Sequence, residues 1–187
     1  RVPGVSHRGE IGTHEVVGEM TPAMTQDKLV ERYGIEIPNS QLLWSIFSRG
    51  YDLRSENPEA SESFRQFLRN GLRRYPNTST RIVYDPFGDS IIHNYRTLKQ
   101  YSIDGQVFGP DGLMEDIPDR KVLESLLETQ DIKKINQVSQ WINRTDSYLW
   151  RLNSKPEQRN EKVAGFYADS VGLGLGCSWY PLDGYPA

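Results

Sequence analysis

At Pro76-Asn77-Thr78 the apolar spacing of this chain changes from a period of 3.6 residues to a period of 2. That switch limits the fold more than any other feature, because it divides the chain into a helical part and a β part. Thr25 is placed to cap a helix over 26–33 that Gly34 stops. Pro38-Asn39-Ser40 opens a second helix, 41–47, in which Leu43, Trp44, Phe47 and Tyr51 form one stripe. Asn57-Pro58 starts a third, 59–74, with Phe64, Phe67, Leu68 and Leu72 on one face. Before them, residues 1–24 have the character of an extended arm with one strand at 14–20.

After the switch, residues 81–84 and 90–95 are strands joined by Asp85-Pro-Phe-Gly-Asp89, a strong hairpin turn. Residues 100–103 and 106–108 continue the β character. Two helices follow, 119–129 and 131–143, the second carrying Ile132, Ile135, Val138 and Ile142 at helical spacing. Residues 148–152 and 162–168 are strands flanking a polar loop. Helices, hairpins, helices and then irregular β form a segregated order, which predicts an α+β fold and not a βαβ parallel sheet.

The totals exclude several functional classes. A formal net charge of −3 argues against nucleic acid, whose binding rests on clustered Lys and Arg. The densest basic patch, Arg69 with Arg73-Arg74, lies on a helix that also carries Glu59 and Glu62, which are expected to offset it. No run approaches the ~18 apolar residues of a membrane span. Arg1–Glu10 lacks the apolar stretch of a signal peptide and the chain does not open on Met, so localisation stays undetermined. The single cysteine, Cys177, excludes an internal disulfide and a Cys-based zinc site.

Candidate chemistry is sparse. His14-Glu15 lacks the second His that a zinc-protease helix needs; His7, His14 and His93 could in principle meet around a metal, but isolated surface or hairpin histidines explain them better, so no metal site is expected. Gly172-Leu-Gly-Leu-Gly176 misplaces the third glycine of a dinucleotide fingerprint, and Trp-Tyr-Pro follows where a helix should start. No cofactor is implied. No Ser lies in a nucleophile elbow. Asp85, Asp89, Asp104, Asp111 and Asp116 sit near hairpin ends, where turn formation explains them better than calcium.

The last forty residues differ in composition from everything before them. Tyr, Trp, Ser, Gly and Asp are mixed there, the set that contact surfaces use: large rigid aromatics beside small adaptable polar groups. Tyr167, Asp169, Val171, Leu173 and Leu175 alternate with Ala168, Ser170, Gly172, Gly174 and Gly176. A period of 2 puts the large set on one side. The expectation is that this set is displayed, since an exposed row of that size needs a binding purpose. Trp150 alternates with Leu149 and Leu152, which predicts a core role for part of that strand.

One family pattern fits these residues. Tyr148-Leu-Trp-Arg-Leu-Asn153, a polar loop, then Val163-Ala-Gly-Phe-Tyr-Ala-Asp-Ser170 with Leu175, Cys177 and Pro181 resembles the variable region of archaeal diversity-generating retroelement proteins. The resemblance implies a C-type lectin fold, with irregular antiparallel β-sheets and flanking helices over 76–187. Residues 1–75 would be an arm and helices packed on the same domain. It also implies adenine-directed mutagenesis over about 163–187, commonly at Asn codons. Carried over residue by residue, the variable face comprises Tyr167, Asp169, Val171, Gly172, Leu173, Gly174, Ser178, Trp179, Tyr180, Leu182, Asp183 and Tyr185, with Gly184 as a further changeable position. Gly165, Phe166, Ala168, Ser170, Cys177 and Pro181 would be scaffold. Trp179 departs from the pattern because no adenine substitution of an Asn codon yields Trp. The family's closing Gly-hydrophobic-Arg strand has no counterpart before Ala187.

The expectation is therefore a non-enzymatic protein that binds a macromolecular, chiefly protein, ligand through its C-terminal face, with its localisation undetermined and display on a cell or virion surface left open. Two rivals make other demands. A hydrolase would use His93 with Asp85 and Asp89. A structural or virion surface protein would use the same C-terminal face for assembly.

Overall fold

A computed structural model describes residues 1–16, 28, 31–32, 37–74, 76–106, 112–150, 156–170 and 172–179, with Gln106, Ser178 and Trp179 as backbone. The expected helix at 26–33, with its Thr25 cap and Gly34 stop, falls mostly outside these residues. The fold is mixed α+β: four α-helices among the described residues pack on one face of a large mixed sheet.

The chain starts with a hairpin, β1 (Val2–His7) and β2 (Glu10–His14), where an extended arm with a single strand at 14–20 was expected. Arg8 and Gly9 turn it with positive φ of 51° and 78°, a pair that suits a two-residue hairpin loop. Val2 and Val5 are buried against Ile46 and Leu53, and Arg49 Nε donates to the Pro3 carbonyl at 2.9 Å.

Local signals explain the helices. In α1 (Ser40–Asp52) the Asn39 side chain accepts from Leu42 N. In α2 (Pro58–Leu72) Asn57 caps by accepting from Ala60 N, and Pro58 stands where its missing N–H costs nothing. In α4 (Ile132–Asn143) Asp131 accepts from Lys134 N. The shorter α3 (Lys121–Leu127) ends on Glu128 in the left-handed conformation, which separates it from α4. Phe67, expected on the buried face of α2, is 36% exposed and stacks on Phe64 at 6.2 Å.

The sheet contains β3 (Asn77–Tyr84), β4 (Asp89–His93), β5 (Tyr101–Gln106), β6 (Gly112–Leu113), β7 (Ser147–Trp150), β8 (Asn160–Ala168) and β9 (Leu173–Trp179). Their order is β5-β4-β3-β8-β9-β7-β6. Every pairing is antiparallel except β7 with β9. The irregular antiparallel sheet that was expected has one parallel pairing at that point. β9 is inserted between β7 and β8, and because it runs antiparallel to β8 it must run along β7.

One core joins the helical and β parts. Trp44, Phe47, Leu68 and Leu72 from α1 and α2 cluster with Ile82, Phe166, Leu175 and Cys177 from the sheet. The Phe47 and Phe166 rings meet edge-on at 5.1 Å. Tyr84 reaches beneath β8 to donate to the Cys177 carbonyl at 2.7 Å, tying β3 to β9. No helix among the described residues is long and apolar enough to cross a membrane.

Candidate ligand-binding face

Paired residues of an antiparallel ladder share a face. Ala168 pairs with Leu173 and Phe166 with Leu175, and all four are buried in the core. Tyr167 pairs with Gly174, which pairs in turn with Tyr148 of β7. Gly165 pairs with Gly176, which pairs with Trp150. The face turned away from the helices is therefore built of two rows, Tyr167–Gly174–Tyr148 and Gly165–Gly176–Trp150.

The expected single row of displayed large residues is corrected by this register. Leu173 and Leu175 are 2% and 0% exposed and point into the core with Cys177. A side chain there contributes about 1.5–3 kcal/mol of burial and has no route to a ligand. Gly172 and Gly174 are also buried. Gly174 lies under the Tyr167 ring, and a Cβ at that position would collide with it. Trp150, expected to share a core strand, is 49% exposed and sits beside Tyr148 with ring centres 6.2 Å apart. Ser178 and Trp179 close β9. Val171, Tyr180, Leu182, Asp183, Gly184 and Tyr185 lie outside the described residues.

Asp169 is half-buried and does local work. Its carboxylate accepts from Gly172 N at 3.0 Å, and its backbone N donates to the Gly172 carbonyl at 3.0 Å. Asn143 Nδ2 donates to the Asp169 carbonyl at 3.0 Å, and Leu173 N donates to Thr145 Oγ1 at 3.0 Å. The β8–β9 turn is thereby pinned to the end of α4. Beside it opens a cavity of about 580 Å³ lined by Arg69, Arg73, Asn143, Thr145, Ala168, Asp169 and Ser170. Arg69 in the last turn of α2 and Arg73 at its C-cap, four positions apart, share one side of the helix.

His93, Asp85, Asp89 and His7 are engaged elsewhere. His93 is fully buried, with Nδ1 at 2.9 Å from Thr80 Oγ1 and Nε2 at 2.8 Å from the Ser125 carbonyl. A carbonyl only accepts, so the ring proton sits on Nε2. Burial, with the nearby positive charges of His7 and Arg8, lowers its pKa to about 4 despite the Ser125 bond. Asp85 and Asp89, at the far end of the β3–β4 hairpin, accept from Phe87 N and Asp85 N. The hydrolase reading needs an accessible base at His93, and this ring is sealed with both nitrogens engaged. His7 pairs with Glu128 at 2.6 Å, while His14 ends β2. Among the described residues no three His, Cys, Asp or Glu side chains converge on a metal position.

Comparison of the chain with family models, with curated proteins and with solved structures finds no match.

Proposed function

We propose that this chain is a non-enzymatic ligand-binding protein that presents the outer face of its C-terminal strands on a C-type lectin-like scaffold. In this reading it is the variable protein of a diversity-generating retroelement, and its ligand is a macromolecule, chiefly a protein. One observation carries the proposal: the division of labour along β8 and β9. Ala164, Phe166, Ala168, Leu173, Leu175 and Cys177 hold the core, while the alternate positions face away from it. Residues on the outer side can change without touching the packing that holds the fold together. Tyr148, Trp150 and Tyr167 supply there the rigid aromatic area from which binding hot spots are made.

The contrast is measurable. Replacing Tyr148, Trp150 and Tyr167 together by Ser should lower stability by about 1 kcal/mol or less per position, as exposed and half-exposed sites do. Leu175→Ala alone should cost about 2–5 kcal/mol. A collapse of folding in the triple variant would sink the reading. Its retroelement part is decided by the surrounding genome. The expected finding is a near-copy of the segment encoding 163–187, differing only at adenines of that copy, beside a reverse transcriptase gene. If the face serves assembly instead, light scattering will show mass rising with concentration in the parent chain and not in the triple variant.

A further inference from the structure

We infer that the cavity between the last turn of α2 and the β8–β9 turn is an oxyanion site, built to hold a carboxylate or phosphoryl group of the ligand. The inference rests on the proposed binding function for its biological meaning, since Asp169 and Ser170 of the cavity directly follow the strand that carries Tyr167, but its chemistry stands on the cavity's own side chains.

The charge balance comes first. Glu59 and Glu62 were expected to offset the arginines of α2, and they do not. Glu62 is held by Arg65 through two hydrogen bonds of 2.7 and 2.5 Å, and Gln66 donates to it as well. Glu59 sits in the first turn of α2, ten positions before Arg69, or about 15 Å along a helix axis. Among the described residues Arg69 and Arg73 form no ion pair. Two arginines therefore line one cavity with a single acidic residue, Asp169, whose Oδ1 already accepts from Gly172 N.

The hydrogen-bonding balance points the same way. Arg69 Nε is shut off from solvent and has no acceptor. A buried guanidinium N–H without a partner is costly, and once the Arg69 side chain turns toward the cavity an incoming oxyanion supplies the missing acceptor in the forked geometry that guanidinium favours. Thr145 Oγ1 accepts from Leu173 N, which leaves its hydroxyl proton for another acceptor, and Ser170 lines the same space. Asn143, by contrast, spends its amide on the Asp169 carbonyl and serves to place the turn. The cavity thus offers donors from α2 and from Ser170 of the turn, a position that the sequence resemblance places in the scaffold. An acidic group fits it and a second cation does not.

The test follows Arg side-chain Nε–Hε and backbone amide resonances of the whole chain during titration with inorganic phosphate, and separately with acetate, at constant ionic strength. The expected result is a saturable shift of Arg69 Hε and the Ser170 amide. Saturation with phosphate alone marks a phosphoryl site, and saturation with both anions marks a general carboxylate-accepting one. Arg69→Gln and Arg73→Gln should each weaken binding about tenfold or more, the worth of one charge-assisted pair. If Arg69→Gln fails to fold, Arg69→Lys keeps the charge, loses the fork, and should still weaken binding severalfold. Shifts that grow linearly without saturation, or that persist unchanged in both Gln variants, would overturn the inference. That outcome leaves the proposed display face intact. Unfolding of the Tyr148/Trp150/Tyr167 triple variant would remove the display reading while phosphate binding by the parent chain remained measurable.

Discussion

The cluster beneath β3 and β4 and the cavity beside the β8–β9 turn are both rich in polar side chains, yet they are built on opposite principles. In the cluster of Ser40, Gln41, Thr80, His93 and Tyr101 each named side chain has a partner. Ser40 Oγ donates to the Leu126 carbonyl, Ser40 N to Thr80 Oγ1, and Gln41 Nε2 to the Ser125 carbonyl. His93 bridges Thr80 and Ser125, and Tyr101 donates to Gln41 Oε1 at 2.6 Å. Burial pushes the Tyr101 phenol up to about 12. Beside the β8–β9 turn, Arg69 Nε has no acceptor and the space is open. A polar network with every partner in place fixes a core; one with donors to spare is arranged for something that arrives from outside.

The largest effect expected from breaking this contrast is at His93. His93→Ala leaves the Ser125 carbonyl without its ring donor and opens a cavity among buried residues, so a loss of about 3–5 kcal/mol is expected in urea unfolding. Arg69→Gln at the open site should stay within about 0.5 kcal/mol. Equal losses at the two sites would mean that the Arg69 cavity is as structural as the His93 cluster.

The next effect is a pH dependence confined to the sealed region. The folded pKa of His93 lies near 4 and its ordinary value is 6.5, so the folded protein refuses a proton that the unfolded chain accepts. Stability from this group is complete above pH 6.5, falls as the pH drops through the window to 4, and then levels off. The amount is about 3 kcal/mol at the low end. Urea midpoints between pH 7.5 and 4 should show this slope in the parent chain. His93→Gln, which can still donate to Ser125, should flatten it, and an unchanged slope in that variant would assign the dependence to other groups.

Much of the scaffold was legible because its signals are local. Asn39, Asn57 and Asp131 cap the helices that follow them, and Ile135, Val138 and Ile142 mark a buried face that the fold uses as expected. The C-terminal face was harder to read. A single alternation drawn from Tyr167 through Leu175 ignores the turn at 169–172. In the antiparallel ladder Tyr167 pairs with Gly174, so the odd-numbered residues of β8 share a face with the even-numbered residues of β9. The turn reverses the parity, and Leu173 and Leu175 pass from the display side to the core. The apolar character of Leu173, Leu175 and Cys177 was the available signal. The Arg69 and Arg73 cavity had no comparable one, because its two sides lie about a hundred residues apart in the chain and meet only through tertiary packing.

The smallest effect concerns whether positions on the outer face vary independently. Tyr167 covers Gly174 across the ladder, an aromatic ring compensating a glycine that lacks its own packing. Gly174→Ala in the parent chain should therefore displace the ring and cost about 1 kcal/mol. In a Tyr167→Ser background the same change meets open space and should cost little, because Ala fits an extended strand better than Gly. The double-mutant cycle should give a coupling of about 0.5–1 kcal/mol, within the range of directly opposed cross-strand pairs. A coupling near zero would make the two positions free to change separately. The expected value makes them a linked pair: a large residue at 167 holds 174 to glycine. The proposed display face then samples fewer surfaces than its count of positions suggests, and its variety depends on neighbours such as Tyr148 and Trp150 that flank the pair from β7.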